Sequence, residues 1–343
     1  NQTSHDIALA EMSVGLYLQA LIFDHKQQQL WLVCPDKERE NLTLAINKQL
    51  ALAPTIKQKK FSLTNDWQSN MIKANYDEKF LQVQNYLLSG DCYQINLAQR
   101  FAAHYQGDEF EAYCALREKN QAPFSAFIRF ENSAILSISP ERFLQKQGNK
   151  IQSKPIKGTK PRSNNIETDN KNAVDLKNSE KDRAENLMIV DLLRNDISKV
   201  CIPGTVKVPS LFDIESFPAV HHLVSTVEGE LSPQYQATDL LAASFPGGSI
   251  TGAPKIRAME IIDELEPHQR SVYCGSIGYI SACGNMDTSI TIRTLLCEKN
   301  TITNESTIYC WAGGGVVADS KVDCEYQETF DKVNKILPVL SAL

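Results

Sequence analysis

The stretch Asp91–Phe101, DCYQINLAQRF, decides how the chain is read. Tyr93, Ile95, Leu97 and Phe101 alternate with Gln94, Asn96 and Arg100, the period-two pattern of a strand with one apolar and one polar face. A polar face of this kind either lines an interior site or meets water. Just upstream, Tyr76–Ser89 carries Phe80, Val83 and Leu87 on one side of a helix that Gly90 stops. Just downstream, Asp108 and Glu111 form a capping-box-like start to a helix reaching Lys119.

Working outward, Val14–Phe23 and Gln29–Cys34 read as strands around a polar turn, followed by a helical stretch from Pro35 to Leu52 and a polar loop from Lys57 to Asn70. Short strands are expected at Phe124–Phe130, Ala134–Ser139 and Arg142–Gln147. Ser163–Asn178, rich in Asn, Asp and Lys, reads as a mobile loop. Ser179–Asn195 is strongly helical, with Ser179 and Asp182 at its start, Leu187, Val190 and Leu193 on an apolar face, and Asp182 and Glu185 on another. Strands at Val200–Val208 and Leu223–Val227 and a helix at Thr238–Ser244 lead to a glycine-rich turn, Pro246–Pro254. Lys255–Leu265 is a helix with Pro254 suited to its first position. Strands at Val272–Ser281, Thr288–Cys297 and Thr307–Trp311, a triple-glycine turn and a helix from Cys324 to Leu337 close the chain. Strands without regular strand-helix alternation favour an α+β protein with largely antiparallel sheets over a doubly wound one.

The 343 residues suffice for a large core. A net charge of −6 excludes a broad basic surface for nucleic acid, so an anionic ligand must be held by local donors. No apolar run is long enough to span a bilayer and the first residues lack a signal-peptide pattern, so cytoplasm is the expected compartment. The nine cysteines are scattered and never spaced as CxxC, which reads as reduced and mostly structural. Asn1 opens the chain without a methionine, as in a fragment.

Several constellations can carry chemistry. In Gln152–Arg162, QSKPIKGTKPR, Pro155 restricts the approach to Lys157 and Gly158 lets the chain bend after it, placing Lys157 where a strand ends in a tight turn. That lysine is either a nucleophile aimed into a cleft or a solvated loop residue. Glu325, Glu328 and Lys332 share one stripe of the last helix. Such a stripe is ordinarily a solvent face, but if it meets Asp182 and Glu185 the carboxylates can hold Mg²⁺. Gly313, Gly314 and Gly315 offer backbone N–H groups to an anion. Gly247 and Gly252 are spaced as in a phosphate loop, but Ala253 and Pro254 stand where its lysine belongs, which excludes nucleotide hydrolysis of that type. His221 and His222 are adjacent on a strand, so they point to opposite faces and cannot chelate one metal.

Taken together, GDCYQINLAQRF, APFSAF, SPERF, PIKGT, RAENLMIVDLLRND, PAVHHLVS, FPGGSITGAPKIRAMEIIDELEP, CGSIGYI, TSITIRTL, AGGGVVADS and EYQETFDKV resemble the chorismate-utilising enzyme family from about Tyr76 to the C-terminus. The resemblance implies two largely antiparallel sheets packed as a sandwich and flanked by helices. It implies a catalytic domain over residues 71–343, with residues 1–70 the remainder of an N-terminal region whose opening segment is absent. Within the family, PIKGT marks the branch that aminates chorismate at C4. Anthranilate synthases, the nearest rival reading, carry alanine where this chain has Lys157. The lysine that activates water in isochorismate and salicylate synthases corresponds to Gln94, which disfavours water addition.

Carried over by resemblance, Lys157 is the nucleophile, Glu141 of SPERF the general acid and His222 an orienting group. Glu185 and Glu328, with Glu325 nearby, resemble Mg²⁺ ligands, and Asp182 stands where relatives often have glutamate. Gly158, Thr159, Tyr273, Arg293, Gly313, Gly314, Gly315 and Lys332 resemble the substrate-binding set. Pro123, Phe124 and Ser125 resemble the surviving side of a tryptophan pocket. Nothing resembles a glutamine-hydrolysing Cys-His site, so ammonia is expected from a separate glutaminase subunit in a heterodimer. A non-catalytic tryptophan- or glutaminase-binding subunit is the reading from another class. Intact Glu141, Lys157, Glu185 and Glu328 disfavour it.

Overall fold

The DCYQINLAQRF segment becomes the spine of a sheet. The computed structural model describes residues 4–52, 59–217, 220–300, 303 and 305–343. Pro218 and Ala219 of the PAVHHLVS motif, and residues 57–58 of the expected polar loop, lie outside the described residues. Leu9–Lys59 forms one unit and Asn1–Ala8 with Lys60–Leu343 the other. The smaller unit contains the hairpin Ala20–Asp24/Gln29–Val33 and a helix, Arg39–Ala51.

Among the described residues of the larger unit, two curled sheets account for the strands, and every strand pair in them is antiparallel. The first runs Gly252–Ala253, Gln94–Gln106, Ser306–Val316, Thr294–Lys299, Ser133–Ser139, Phe124–Arg129, with Ser62–Leu63 and Gln68–Ser69 also on Gln94–Gln106. The second runs Ile156–Pro161, Val220–Glu230, Lys150–Ser153, Arg142–Gln147, Met286–Ile290, Ser276–Ile280, with Lys207–Ser216 also on Val220–Glu230. Helices Lys73–Ser89 and Lys255–Leu265 bury Tyr76, Phe80, Val83, Ala258 and Ile261 with Ile95 and Leu97 of the first sheet. Glu109–Asn120 and Leu337–Ser341 cover another part of that sheet through Tyr113, Leu116 and Leu340. Helices Ile166–Lys177 and Glu180–Ser198 pack on the second sheet.

The α+β expectation holds, and so do several local readings. Ser179 Oγ caps the Glu180–Ser198 helix by accepting from Asp182 N at 3.3 Å. Gly90 closes Lys73–Ser89 at φ 83°. Asp108 caps Glu109–Asn120, while Glu111 accepts from Phe61 N instead of completing a capping box.

Other expectations are corrected. Ser163–Asn178 holds a helix, Ile166–Lys177, capped by Asn165 and anchored by the buried Asp169, which accepts from Arg162 and pairs with His221 at 3.0 Å. Local composition shows the polar face; the anchors are long-range. Val200–Val208 is turn and irregular backbone up to Val206, with an isolated bridge from Cys201 to Leu231 and a strand only from Lys207. The last helix stops at Val333, with Leu337–Ser341 separate, and Pro254 is the cap before Lys255–Leu265, one position earlier than expected.

Three corrections shape the site. Thr288–Cys297 is two strands in different sheets, broken where Arg293 adopts φ 50°. Gly313–Gly315 continue the strand Ser306–Val316, because Gln94–Gln106 pairs with it as far as Ile95–Val316. Lys157 sits inside the strand Ile156–Pro161, at a bulge between Ile156 and Thr159.

Candidate active site

Two neighbouring crossings join the sheets. The chain passes from Ser133–Ser139 to Arg142–Gln147 through Pro140 and Glu141, and from Met286–Ile290 to Thr294–Lys299 through Thr291, Ile292 and Arg293. They are zipped together: Ser139 Oγ donates to Ile290 O at 2.6 Å, Ile290 N to Glu141 O at 3.1 Å, and Ile138 N to Arg293 O at 3.0 Å. Glu141 and Arg293 are thereby brought to one seam.

Glu141 is 5% exposed, and Ser249 Oγ donates to its Oε1 at 2.8 Å. Burial pushes the Glu141 carboxyl up from its ordinary value, against the Ser249 hydrogen bond and the charge of Lys157. Lys157 Nζ donates to the Ser249 carbonyl at 3.4 Å. A bulge adds a residue to one strand and turns its side chain. Here it puts Gly158 at φ 77°, and a Cβ there would stand 2.8 Å from Asp182 Cγ. Gly158 thus lets the Lys157 strand lie against the start of the Glu180–Ser198 helix.

His222 lies across from Thr159, whose Oγ1 is 2.9 Å from His222 Nδ1. Burial and the nearby Arg293 charge push His222 down to about 4, so its ring is neutral near pH 7. Both histidines are buried, because their strand is covered on each side; His221 engages Asp169 and Ser216 instead. Burial also pushes the Arg293 guanidinium down, opposed by the Glu141 charge. It makes no hydrogen bond or ion pair with a described side chain, an arrangement that suits an incoming anion.

The acidic faces of the two helices meet. Lys181, beside Glu185 on its helix, reaches Glu325 Oε1 on Val322–Val333 at 3.4 Å and lies 3.9 Å from Glu185 Oε1. Glu325 also accepts from Ser320 Oγ at 2.7 Å, while its buried Oε2 has no partner among the described residues. A Cβ on Gly314 would come 3.1 Å from that oxygen and 3.4 Å from Glu328 Oε1, so the glycine makes the approach possible. Burial pushes Glu185 up, against Lys157 and Lys181. Burial acts in the same sense on Glu328, but Lys332, together with Lys157 and Lys181, outweighs it and the carboxyl is held below its ordinary value. Among the described residues no three of these groups stand together as a ready-made metal shell. The donors are nonetheless hard carboxylate oxygens from two helices, one of them buried and unpaired, which is the chemistry Mg²⁺ takes.

Lys332 Nζ binds Glu328 at 2.7 Å and the Gly313 carbonyl at 2.7 Å. Pairing of Ser306–Val316 with Thr294–Lys299 ends at Leu295–Cys310, so Gly313–Gly315 keep one edge without a ladder partner. The expected amide donors are on a strand edge. Gln94, 1% exposed, lies over Gly315, and its Oε1 has no partner among the described residues. Tyr273 stacks on Trp311 at 6.2 Å beneath Arg270. Pro123 is exposed before the edge strand, Phe124 lies opposite Ser139 and beneath the Arg142 guanidinium, and Ser125 Oγ donates to Ala122 O.

Sequence reasoning missed Ser249 and Lys181. Ser249 sits in the segment set aside as a failed phosphate loop, and Lys181 is i,i+4 to Glu185, a spacing that normally marks a surface pair.

Residues 1–338 match the family described as chorismate binding enzyme. Over 335 residues the chain is 58% identical to aminodeoxychorismate synthase component 1 of Escherichia coli K12, covering 98% of this chain and 72% of that protein. It is also 58% identical over 335 residues to the protein of that name in Salmonella typhimurium, covering 97% and 71%. Among solved structures, anthranilate synthase component I from Streptococcus pneumoniae superposes with a TM-score of 0.82 at 32% identity, covering 94% of this chain and 72% of that one.

Proposed function

The chain belongs to the chorismate binding enzyme family, and on that premise we propose that it aminates chorismate at C4, giving 4-amino-4-deoxychorismate for 4-aminobenzoate and folate synthesis. The relatives named aminodeoxychorismate synthase component 1 support this reading. The observation that carries it is the line Lys157–Ser249–Glu141, an amine and a buried carboxyl held by one residue.

The Lys157 amine attacks C2 and the ring double bonds shift toward C4. Glu141, whose carboxyl burial pushes up, is the acid that gives its proton to the departing C4 hydroxyl, which leaves as water. Ammonia then attacks C4, the bond to Lys157 breaks, and a difficult substitution has become two easier ones. Arg293 and the open edge of Gly313–Gly315 grip the substrate's carboxylates, with Gly158, Thr159, Tyr273 and Lys332 completing the pocket. Neutral His222, held by Thr159, orients the leaving hydroxyl. Glu185, Glu328 and Glu325 would hold Mg²⁺, which when bound supplies positive charge to the ring carboxylate.

A first component calls for a second, and we assign ammonia supply to a glutaminase subunit in a heterodimer. Tryptophan is a candidate ligand at Pro123–Ser125. No helix among the described residues is long and apolar enough to cross a membrane; cytoplasm is our assignment of compartment.

The test is incubation with chorismate, Mg²⁺ and ammonium at mildly alkaline pH, with and without a lyase that forms 4-aminobenzoate, while the intact protein is weighed. Lyase-dependent 4-aminobenzoate and an adduct lost in Lys157→Ala are expected. Anthranilate in its place would move amination to C2 and overturn the assignment. Equal Mg²⁺-dependent turnover by Glu328→Ala would remove that residue from the metal site.

A further inference from the structure

Lys181 makes contact with a carboxylate on both acidic helices, Glu325 at 3.4 Å and Glu185 at 3.9 Å. Of the other two lysines of the site, Lys332 holds Glu328 and the Gly313 carbonyl and Lys157 the Ser249 carbonyl, so among the described residues Lys181 is the lysine paired with Glu185 and Glu325. Glu325 is 2% exposed, and a carboxylate so deeply buried is strongly destabilising unless a cation compensates it. Its second oxygen has no partner among the described residues and faces the space beside Gly314 and Glu328. The Lys181 side chain is 47% exposed, on the first turn of its helix. Its flexible stem can carry the ammonium out to water without disturbing the backbone.

From this we infer that Lys181 is a built-in competitor for the divalent-ion site: it neutralises Glu185 and Glu325 in the metal-free protein and is displaced when the ion binds. The inference rests on the proposed Mg²⁺ site. A dication drawn to the unpaired Glu325 oxygen meets the Lys181 ammonium on the same carboxylates, and like charges this close repel. Metal uptake must release the lysine, so Lys181 lowers divalent-ion affinity while keeping the two helices together in the ion's absence. Its role toward the ion is therefore opposite to that of the carboxylates it touches.

The experiment titrates the whole chain with Mn²⁺, an octahedral oxygen-seeking stand-in for Mg²⁺, reading free Mn²⁺ by its electron paramagnetic resonance signal. The proteins are wild type, Lys181→Met, Lys181→Arg and Glu328→Ala. Thermal unfolding in EDTA and in Mg²⁺ is recorded for each. Lys181→Met should bind Mn²⁺ at least tenfold more tightly, melt lower than wild type in EDTA, and gain more from Mg²⁺. Lys181→Arg keeps the charge and should bind no more tightly than wild type. Saturable uptake that Glu328→Ala abolishes but Lys181→Met leaves unchanged or weakens overturns the role of Lys181 alone. No saturable uptake by any of the four removes the metal site, and this inference with it.

Discussion

Ser249 Oγ donates to Glu141 Oε1 at 2.8 Å, and both residues are buried. Burial raises the Glu141 carboxyl, and this hydrogen bond is the largest influence acting against it. Ser249→Ala removes a donor that favours the charged form. The alkaline limb of the pH profile of kcat/KM should move upward, and the maximum should fall roughly tenfold, the scale of one hydrogen bond to a charged group. An unmoved limb would show that Glu141 does not govern it.

Gly158 holds φ 77°, and an added Cβ would come within 2.8 Å of both Asp182 Cγ and Leu176 Cδ1. Gly158→Ala combines an unfavourable backbone with a collision, and about 1–3 kcal/mol should be lost in urea unfolding. Because the bulge also aims Lys157, adduct formation should slow along with the loss of stability. A variant as stable as wild type would mean the bulge relaxes freely.

The bulge also marks where the sequence stopped being legible. PIKGT revealed a constrained lysine, but a turn and a bulge share the same glycine chemistry, and only pairing of Thr159 with His222 distinguishes them. Gly313–Gly315 failed for the same reason: three glycines describe a turn locally, while ten residues of pairing with Gln94–Gln106 hold them extended. Thr288–Cys297 is rich in β-branched residues, as one strand should be, and nothing in its composition marks the change of sheet at Arg293. The Glu180–Ser198 helix was legible because its cap and apolar stripe are local. The meeting of its acidic face with Glu325 and Glu328 has no local signal, since it depends on how distant helices dock.

His222 offers a test of burial by pH. Its folded value, about 4, lies below the ordinary 6.5 because of burial and Arg293. On acidification the unfolded chain therefore takes up the proton first. The stabilisation is complete above about 6.5 and is lost as pH falls through about 4, by about 3 kcal/mol in all. His222→Asn keeps an acceptor for Thr159 but cannot titrate. The difference in unfolding free energy between wild type and this variant should slope across that window and be flat above it. A difference independent of pH would place the ring in contact with water.

Arg293 combines φ 50°, a guanidinium pushed down by burial, and no hydrogen bond or ion pair to a described side chain. A cation left so poorly compensated is costly in the empty protein, and an anionic ligand removes that cost as it binds. Arg293→Lys preserves the charge but loses the two-pronged fork that matches a carboxylate. The KM for chorismate should rise about tenfold to a hundredfold, corresponding to roughly 1.5–3 kcal/mol for a charged hydrogen-bonding group. The thermal stabilisation that chorismate gives to wild type should shrink by a matching amount, while the melting temperature without ligand should change little or rise, because the ammonium can retract toward water. An unaltered KM together with unaltered ligand stabilisation would show that Arg293 serves the crossing between the sheets rather than the substrate.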